Sequence, residues 1–273
     1  MPTIALLVVK WLCVWGALSL LPAHAAYKRV ISLAPHITEL IYAIEAQDRL
    51  IATVHSSNYP AAAQQLPRVG DGVNVVAEQL LALQPDAVFA WQPTATLMAL
   101  EKVLHAQGIA LHYIEPQSLK DIASSALELG HWLDSETQAQ ALAQQWRHQL
   151  DELAATAATH PRPTPRVLIV LNSAPLYSLN DPIVNDLFAY CGVQNWLEPS
   201  SPVAPALNVE HLLARPIDAV VYSQTTPELQ QLLQQLNQAQ TQSPLAISVE
   251  ADAFYRAGPR LIELAPDFCL QLP

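Results

Sequence analysis

The residues of this chain that could do chemistry fall in a few places. Asp252-Ala253-Phe254-Tyr255-Arg256 sets one acid, one base and two aromatic rings within five residues. It follows an apolar run, Leu245–Val249, that reads as a strand. The carboxyl end of a strand is where open α/β sheets hold ligands. A flat ligand needs rings to stack on, and its amide or carboxylate edges need paired polar partners. Trp91 closes a second such run, Ala87–Trp91, at an equivalent rim. A capping aspartate and a solvated arginine would account for the same letters.

A phrase is also written twice. AEQLLALQPDAVFAW (77–91) and VEHLLARPIDAVVYS (209–223) share the frame Glu-x-Leu-Leu-Ala-x-x-x-Asp-Ala-Val, 132 positions apart and without a gap. Glu78 and Glu210 each lead a short helix. A carboxylate in a first turn gains roughly 0.3–1 kcal/mol from the helix dipole, so local helix chemistry accounts for both. Two acids at equivalent ends of two lobes would also make a two-pronged docking surface.

Other chemistries lack their signatures. Neither GxGxxG nor GxxxxGK[ST] occurs, and the seven glycines do not cluster, which argues against nucleotides. No GxSxG elbow supports a nucleophilic hydrolase. Nine histidines are present; His36, His55 and His211 fall near predicted strand ends or helix starts. No HExxH or closely spaced His/Cys pair accompanies them, so neither an enzyme nor a protein-built metal site is expected. The net charge of −11, with no block of Lys or Arg, argues against nucleic acid.

The elements that must position these residues follow from periodicity. Predicted strands are Arg29–Ala34, Leu50–Val54, Ala87–Trp91 and Ala110–Glu115, then Arg166–Asn172, Ala219–Ser223 and Leu245–Val249. Predicted helices are Ile37–Glu45, Val76–Gln84, Ala95–Gln107, Ser118–Leu133 and Ser135–His160, then Pro182–Cys191, Val209–Ala214, Glu228–Asn237 and Tyr255–Leu264. Buried strands alternating with helices indicate βαβ units and parallel sheets. The expected fold is α/β: two Rossmann-like lobes, 26–134 and 161–273, joined by a long rigid helix over 135–160. Ser135 and Thr137 supply its start, and Pro161, Pro163 and Pro165 end it.

Residues 1–25 carry Lys10, an apolar run from Trp11 to Leu21, and Ala23-His24-Ala25. This resembles a secretory signal cleaved after Ala25. A retained anchor would need roughly 20 apolar residues, and this run is shorter. Cleavage removes Cys13 and leaves Cys191 and Cys269. Two cysteines in an exported chain suggest one disulfide, with two buried thiols as the other arrangement.

At this point the residues match a known family. RVISLAPHITEL (29–40), Asn58-Tyr59-Pro60, the run from Glu78 to Trp91, the segment from Asp252 through Arg256-Ala257-Gly258-Pro259-Arg260, and Cys191 with Cys269 resemble class III periplasmic substrate-binding proteins of ABC importers. The similarity covers residues 27–271. The resemblance implies two lobes, modest closure on binding, no catalysis and no resident cofactor. Its cobalamin-binding members fit best, with haem, iron-siderophore or divalent-metal receptors as alternatives. It implies that Trp91, Asp252 and Arg256 face the ligand; Ser56, Ala253, Tyr59, Phe254 and Tyr255 are expected to complete the ligand-binding set, with Tyr59, Tyr177, Phe254 and Tyr255 supplying rings in a differently shaped pocket. It implies a Cys191–Cys269 disulfide, a monomer, and docking of Glu78 and Glu210 onto a membrane permease. The chain departs from those members at Ser56, Gly72, Leu176 and Ala204, where they carry aromatics.

Overall fold

A computed structural model describes residues 26–159 and 164–273. The expected signal segment and its cleavage point after Ala25 lie outside the described residues, as do Pro161 and Pro163. Among the described residues no helix is long and apolar enough to cross a membrane.

Two four-stranded parallel sheets organise the chain. The first contains β1 (Val30–Ser32), β2 (Leu50–Ala52), β3 (Ala87–Ala90) and β4 (Ala110–Tyr113), in the order β2-β1-β3-β4. After it come β5 (Arg166–Val170) and a small antiparallel hairpin of β6 (Asn172–Ser173) and β7 (Leu176–Tyr177). Strands β8 (Gln194–Asn195), β9 (Ala219–Tyr222) and β10 (Leu245–Ser248) join β5 in the order β10-β9-β5-β8. The two sheets share one topology, with their first and third strands central. Those central strands are buried along almost their whole length, because helices cover both faces.

The helices are α1 (Pro35–Ala43), α2 (Ala77–Ala82), α3 (Ala95–Ala106), α4 (Leu119–Leu133) and α5 (Glu136–Ala157), followed by α6 (Pro182–Tyr190), α7 (Val209–Leu213), α8 (Pro227–Ala239), α9 (Ala251–Phe254) and α10 (Pro259–Cys269). The repeated phrase becomes α2 leading into β3, and α7 leading into β9. Its aspartates have equivalent roles. Asp86 accepts from the backbone N–H groups of Lys28 and Arg29, and Asp218 from that of Arg166. Each locks the start of the neighbouring central strand. The repeat runs further than the phrase: Thr94 caps α3 and Thr226 caps α8, again 132 positions apart.

Several boundaries differ from expectation. Helix α5 has 22 residues, about 33 Å, and ends before the prolines. Ser135 precedes it but does not cap it; its hydroxyl donates to the Ile44 carbonyl instead. Helix α4 pairs with α5 as a hairpin whose Gly130 approaches Ala139 closely: a Cβ at Gly130 would lie 2.4 Å from the Ala139 Cβ. The connecting backbone is therefore two helices side by side. The last helix starts at Pro259, since Gly258 and Pro259 break the run expected over Tyr255–Leu264. The β6–β7 hairpin and the two-residue β8 were not expected; they are too short to show a period.

One apolar core joins both sheets. It includes Ile37 and Leu40 of α1, Leu129 of α4, Trp146 of α5, Val167 and Ile169 of β5, and Phe268 of α10. Separate clusters fill the outer face of each sheet. A continuous core makes independent motion of the lobes costly, because closing on a hinge would open packed surface. Cys191 at the end of α6 and Cys269 at the end of α10 form a disulfide, with Cα atoms 4.9 Å apart. The crosslink closes 78 positions and stabilises by about 4.5 kcal/mol in the chain-entropy treatment. Replacing both cysteines with alanine should lower the unfolding free energy by about 2–4 kcal/mol in urea titrations, leaving secondary structure intact.

Candidate functional site

The strand order reverses between β1 and β3, which places a crevice at their carboxyl ends. His36 and Glu39 reach it from α1, which begins just after β1. Trp91 follows β3. The loop after β2 brings Ser56, Asn58 and Tyr59. The chain after β10 brings Glu250, Asp252, Arg256 and Arg260 from the other lobe.

That loop is fixed from below by hydroxyls. Thr38 Oγ1 lies 2.9 Å from Ser32 Oγ, 2.8 Å from Thr53 Oγ1 and 3.0 Å from Ser57 Oγ, and all four residues are buried. Arg68 donates to the Val54 and Ser57 carbonyls. Such a network is worth keeping only when every member has a partner, and here each does.

Glu39 is the organising residue. Its side chain is 1% exposed and holds two arginines from the far lobe. Arg260 Nε donates to Oε2 at 3.0 Å and its Nη2 to Oε1 at 2.8 Å, a two-pronged pair. Arg256 Nη1 donates to Oε1 at 3.1 Å. Burial works against the Arg260 charge, but the Glu39 carboxylate more than offsets it and the guanidinium pKa rises. Arg260 also reaches Glu250, which caps α9. Its guanidinium carbon sits 4.5 Å from the centre of the Tyr59 ring, a cation–π contact.

Above this floor Arg256 Nη2 pairs with Asp252 Oδ1 at 2.8 Å and donates to the Ser56 carbonyl at 3.0 Å. Two rings stand open to solvent: Tyr59 at 47% and Trp91 at 49% exposure. The Trp91 ring meets His36 edge-on, 6.0 Å between centres. Gly258 packs on His36, where a Cβ would come within 3.3 Å of the histidine Cβ.

The structure thus brings together Ser56, Tyr59, Trp91, Asp252 and Arg256. Ala253 is half-buried and gives its N–H to Glu250. Phe254 is a correction. Its ring is fully buried, 5.0 Å from Phe268 in the shared core, and offers no surface to a ligand. Tyr255 leans on the same core, and burial pushes its phenol up to about 12. Glu39, Asn58, Glu250, Arg260 and His36 carry the floor without having been singled out as ligand-site residues. Among the described residues, no three His, Cys, Asp or Glu side chains gather as a metal site needs. His55 is held by the Gly70 carbonyl, and His211 lies against Trp196.

Glu78 and Glu210 occupy the first turns of α2 and α7, both exposed, and among the described residues neither forms an ion pair. Arg29 holds the far end of α2 through the Leu83 and Gln84 carbonyls.

Comparison with known proteins agrees with this architecture. The family described as "Periplasmic binding protein" matches residues 30–246. The chain belongs to the periplasmic binding protein family. A vitamin B12-binding protein of Pectobacterium carotovorum subsp. carotovorum (strain PC1) is 31% identical over 269 residues, covering 97% of this chain and 96% of that protein. One of Yersinia pestis (strain Pestoides F) is 31% identical over 254 residues, with 92% and 88% coverage. The crystal structure of the periplasmic vitamin B12-binding protein BtuF of Vibrio cholerae superposes with a TM-score of 0.76, at 26% identity over 90% of this chain and 96% of that one. The haem-binding protein HutB of Vibrio cholerae shares the fold, with a TM-score of 0.74 at 21% identity over 89% of this chain and 97% of that one.

In the crevice of this periplasmic binding protein, His36 titrates well away from the ordinary imidazole range. Burial drives its pKa down to about 4, with Arg256 adding to the effect and a bond to the Ile114 carbonyl opposing it. As pH falls from 6.5, the unfolded chain takes up this proton and the folded chain does not. Stability should therefore decline between pH 6.5 and 4, by up to about 3 kcal/mol from this group. Unfolding titrations of His36→Gln across that window should show a shallower decline than wild type.

Proposed function

We propose that this protein is exported to the periplasm, captures cobalamin in the inter-lobe crevice, and delivers it to the permease of an ABC importer. The mature chain would begin near Ala26. No reaction is involved; the metal arrives inside the ligand, and the protein acts as a monomer. Tyr59 and Trp91 would offer aromatic surface to the corrin, and Ser56, Asp252, Ala253 and Arg256 its polar edge. Glu78 and Glu210, one on each lobe, would meet cationic side chains of the permease.

The observation that carries the choice of ligand is the charge of the floor. Two guanidinium groups face the carboxylates of Glu39, Glu250 and Asp252, leaving one net negative charge. Both arginines are already paired. A dianionic ligand such as haem, with two carboxylates, would meet more anions than free cations there. A neutral periphery of amides suits paired donors and acceptors better. The relatives named as vitamin B12-binding proteins support the same choice.

Isothermal and absorbance titration of the mature protein with cyanocobalamin and with hemin tests the reading. Saturable one-to-one uptake of cyanocobalamin is expected; silence toward it alongside saturable hemin binding would overturn cobalamin as the ligand. The double variant Glu78→Arg with Glu210→Arg should abolish uptake by whole cells while the ligand Kd stays within twofold of wild type. A marked loss of ligand affinity would instead remove the docking role.

A further inference from the structure

Three side chains at the floor close a ring. Asn58 Nδ2 donates to Asp252 Oδ2 at 2.7 Å. Arg256 Nη1 donates to Asn58 Oδ1 at 2.8 Å. Arg256 Nη2 pairs with Asp252 Oδ1 at 2.8 Å. The Asp252–Arg256 pair is thus holding a primary carboxamide by both ends: the acid takes its N–H and the base gives to its carbonyl. Asn58 comes from the lobe opposite to the pair, 194 positions from Asp252. Its backbone carbonyl is tied separately, by Gln64. The side chain can therefore leave the ring without unseating the loop.

We propose that Asn58 is a built-in competitor: its carboxamide occupies the place where a ligand's primary carboxamide binds, and the ligand must displace it. The inference rests on the cobalamin reading above and deepens it. A corrin carries primary carboxamides around its edge; a haem carries carboxylates. A carboxylate can accept from Arg256, but it has no N–H for Asp252 and would face that acid across a hydrogen-bond distance. The pair selects amide over acid, and Asn58 keeps it satisfied while the crevice is empty. An unfilled Asp252–Arg256 pair would otherwise leave half-exposed polar atoms to be served by water alone. The competitor weakens binding, because the apparent Kd is the intrinsic one divided by the fraction of molecules in which the ring is open.

The test is Asn58→Ala, with Asn58→Ser as a second variant, in the full mature protein with cyanocobalamin as the probe. Removing the competitor should tighten Kd about three- to tenfold, as if the ring were closed in about two-thirds to nine-tenths of ligand-free molecules. Stopped-flow measurement should place the gain in the association rate, with the dissociation rate unchanged. A residue that merely braces the loop would not move the association rate alone. Unchanged or weaker affinity in both variants, while wild type binds normally, overturns the role of Asn58 and leaves the cobalamin reading standing. Wild type that takes up hemin and not cyanocobalamin overturns the cobalamin reading and the carboxamide inference with it.

Discussion

The crevice depends on one buried carboxylate. Glu39 is held inside the protein on α1, and such a charge is tolerated only when paired and hydrogen-bonded. Its partners come from the far end of the chain, 217 and 221 positions away. Satisfying it draws Arg256 and Arg260 to fixed places. Arg260 then covers one face of Tyr59, and Arg256 sets the geometry of Asp252 and Asn58. Asp252, Asn58 and the Tyr59 ring are thus oriented directly or indirectly by this contact.

The same contact ties function to architecture. The two lobes share a topology and a repeated helix-to-strand phrase, but they are not two freely moving bodies. A common core, the α4–α5 hairpin and helix α10 crossing back to α1 hold them together. The crevice floor is thus held as a fixed platform between the lobes, with the Tyr59 and Trp91 rings exposed and the Asp252–Arg256 pair formed above Glu39. The acids at the first turns of α2 and α7 sit on the same framework, at equivalent positions of the two lobes.

Much of this was legible in the sequence. The buried runs Ala87–Ala90 and Ala219–Tyr222 read as strands because no polar residue interrupts them. Trp91 and the Asp252–Arg256 segment stood out because each follows such a run. The disulfide followed from the family likeness of Cys191 and Cys269. Glu39 was not singled out, because an acid in a helix ordinarily faces water and nothing within the helix announces its distant partners. Phe254 looked like its neighbours Asp252 and Arg256, but one turn of α9 points it inward while they face the crevice. The break at Gly258-Pro259 was written in the sequence, and the apolar spacing of Tyr255–Leu264 obscured it.

The most direct test of the central contact is a double-mutant cycle on Glu39→Gln and Arg260→Gln, read by urea unfolding of the ligand-free protein. Arg260→Gln leaves Glu39 with Arg256 alone, and Glu39→Gln leaves Arg260 with Glu250 alone, so each single variant should cost about 2–3 kcal/mol. The double variant should cost far less than their sum, with a coupling of about 2 kcal/mol or more. Additive losses, or single losses within about 0.5 kcal/mol of zero, would contradict the account, since the crevice would then not depend on this pair.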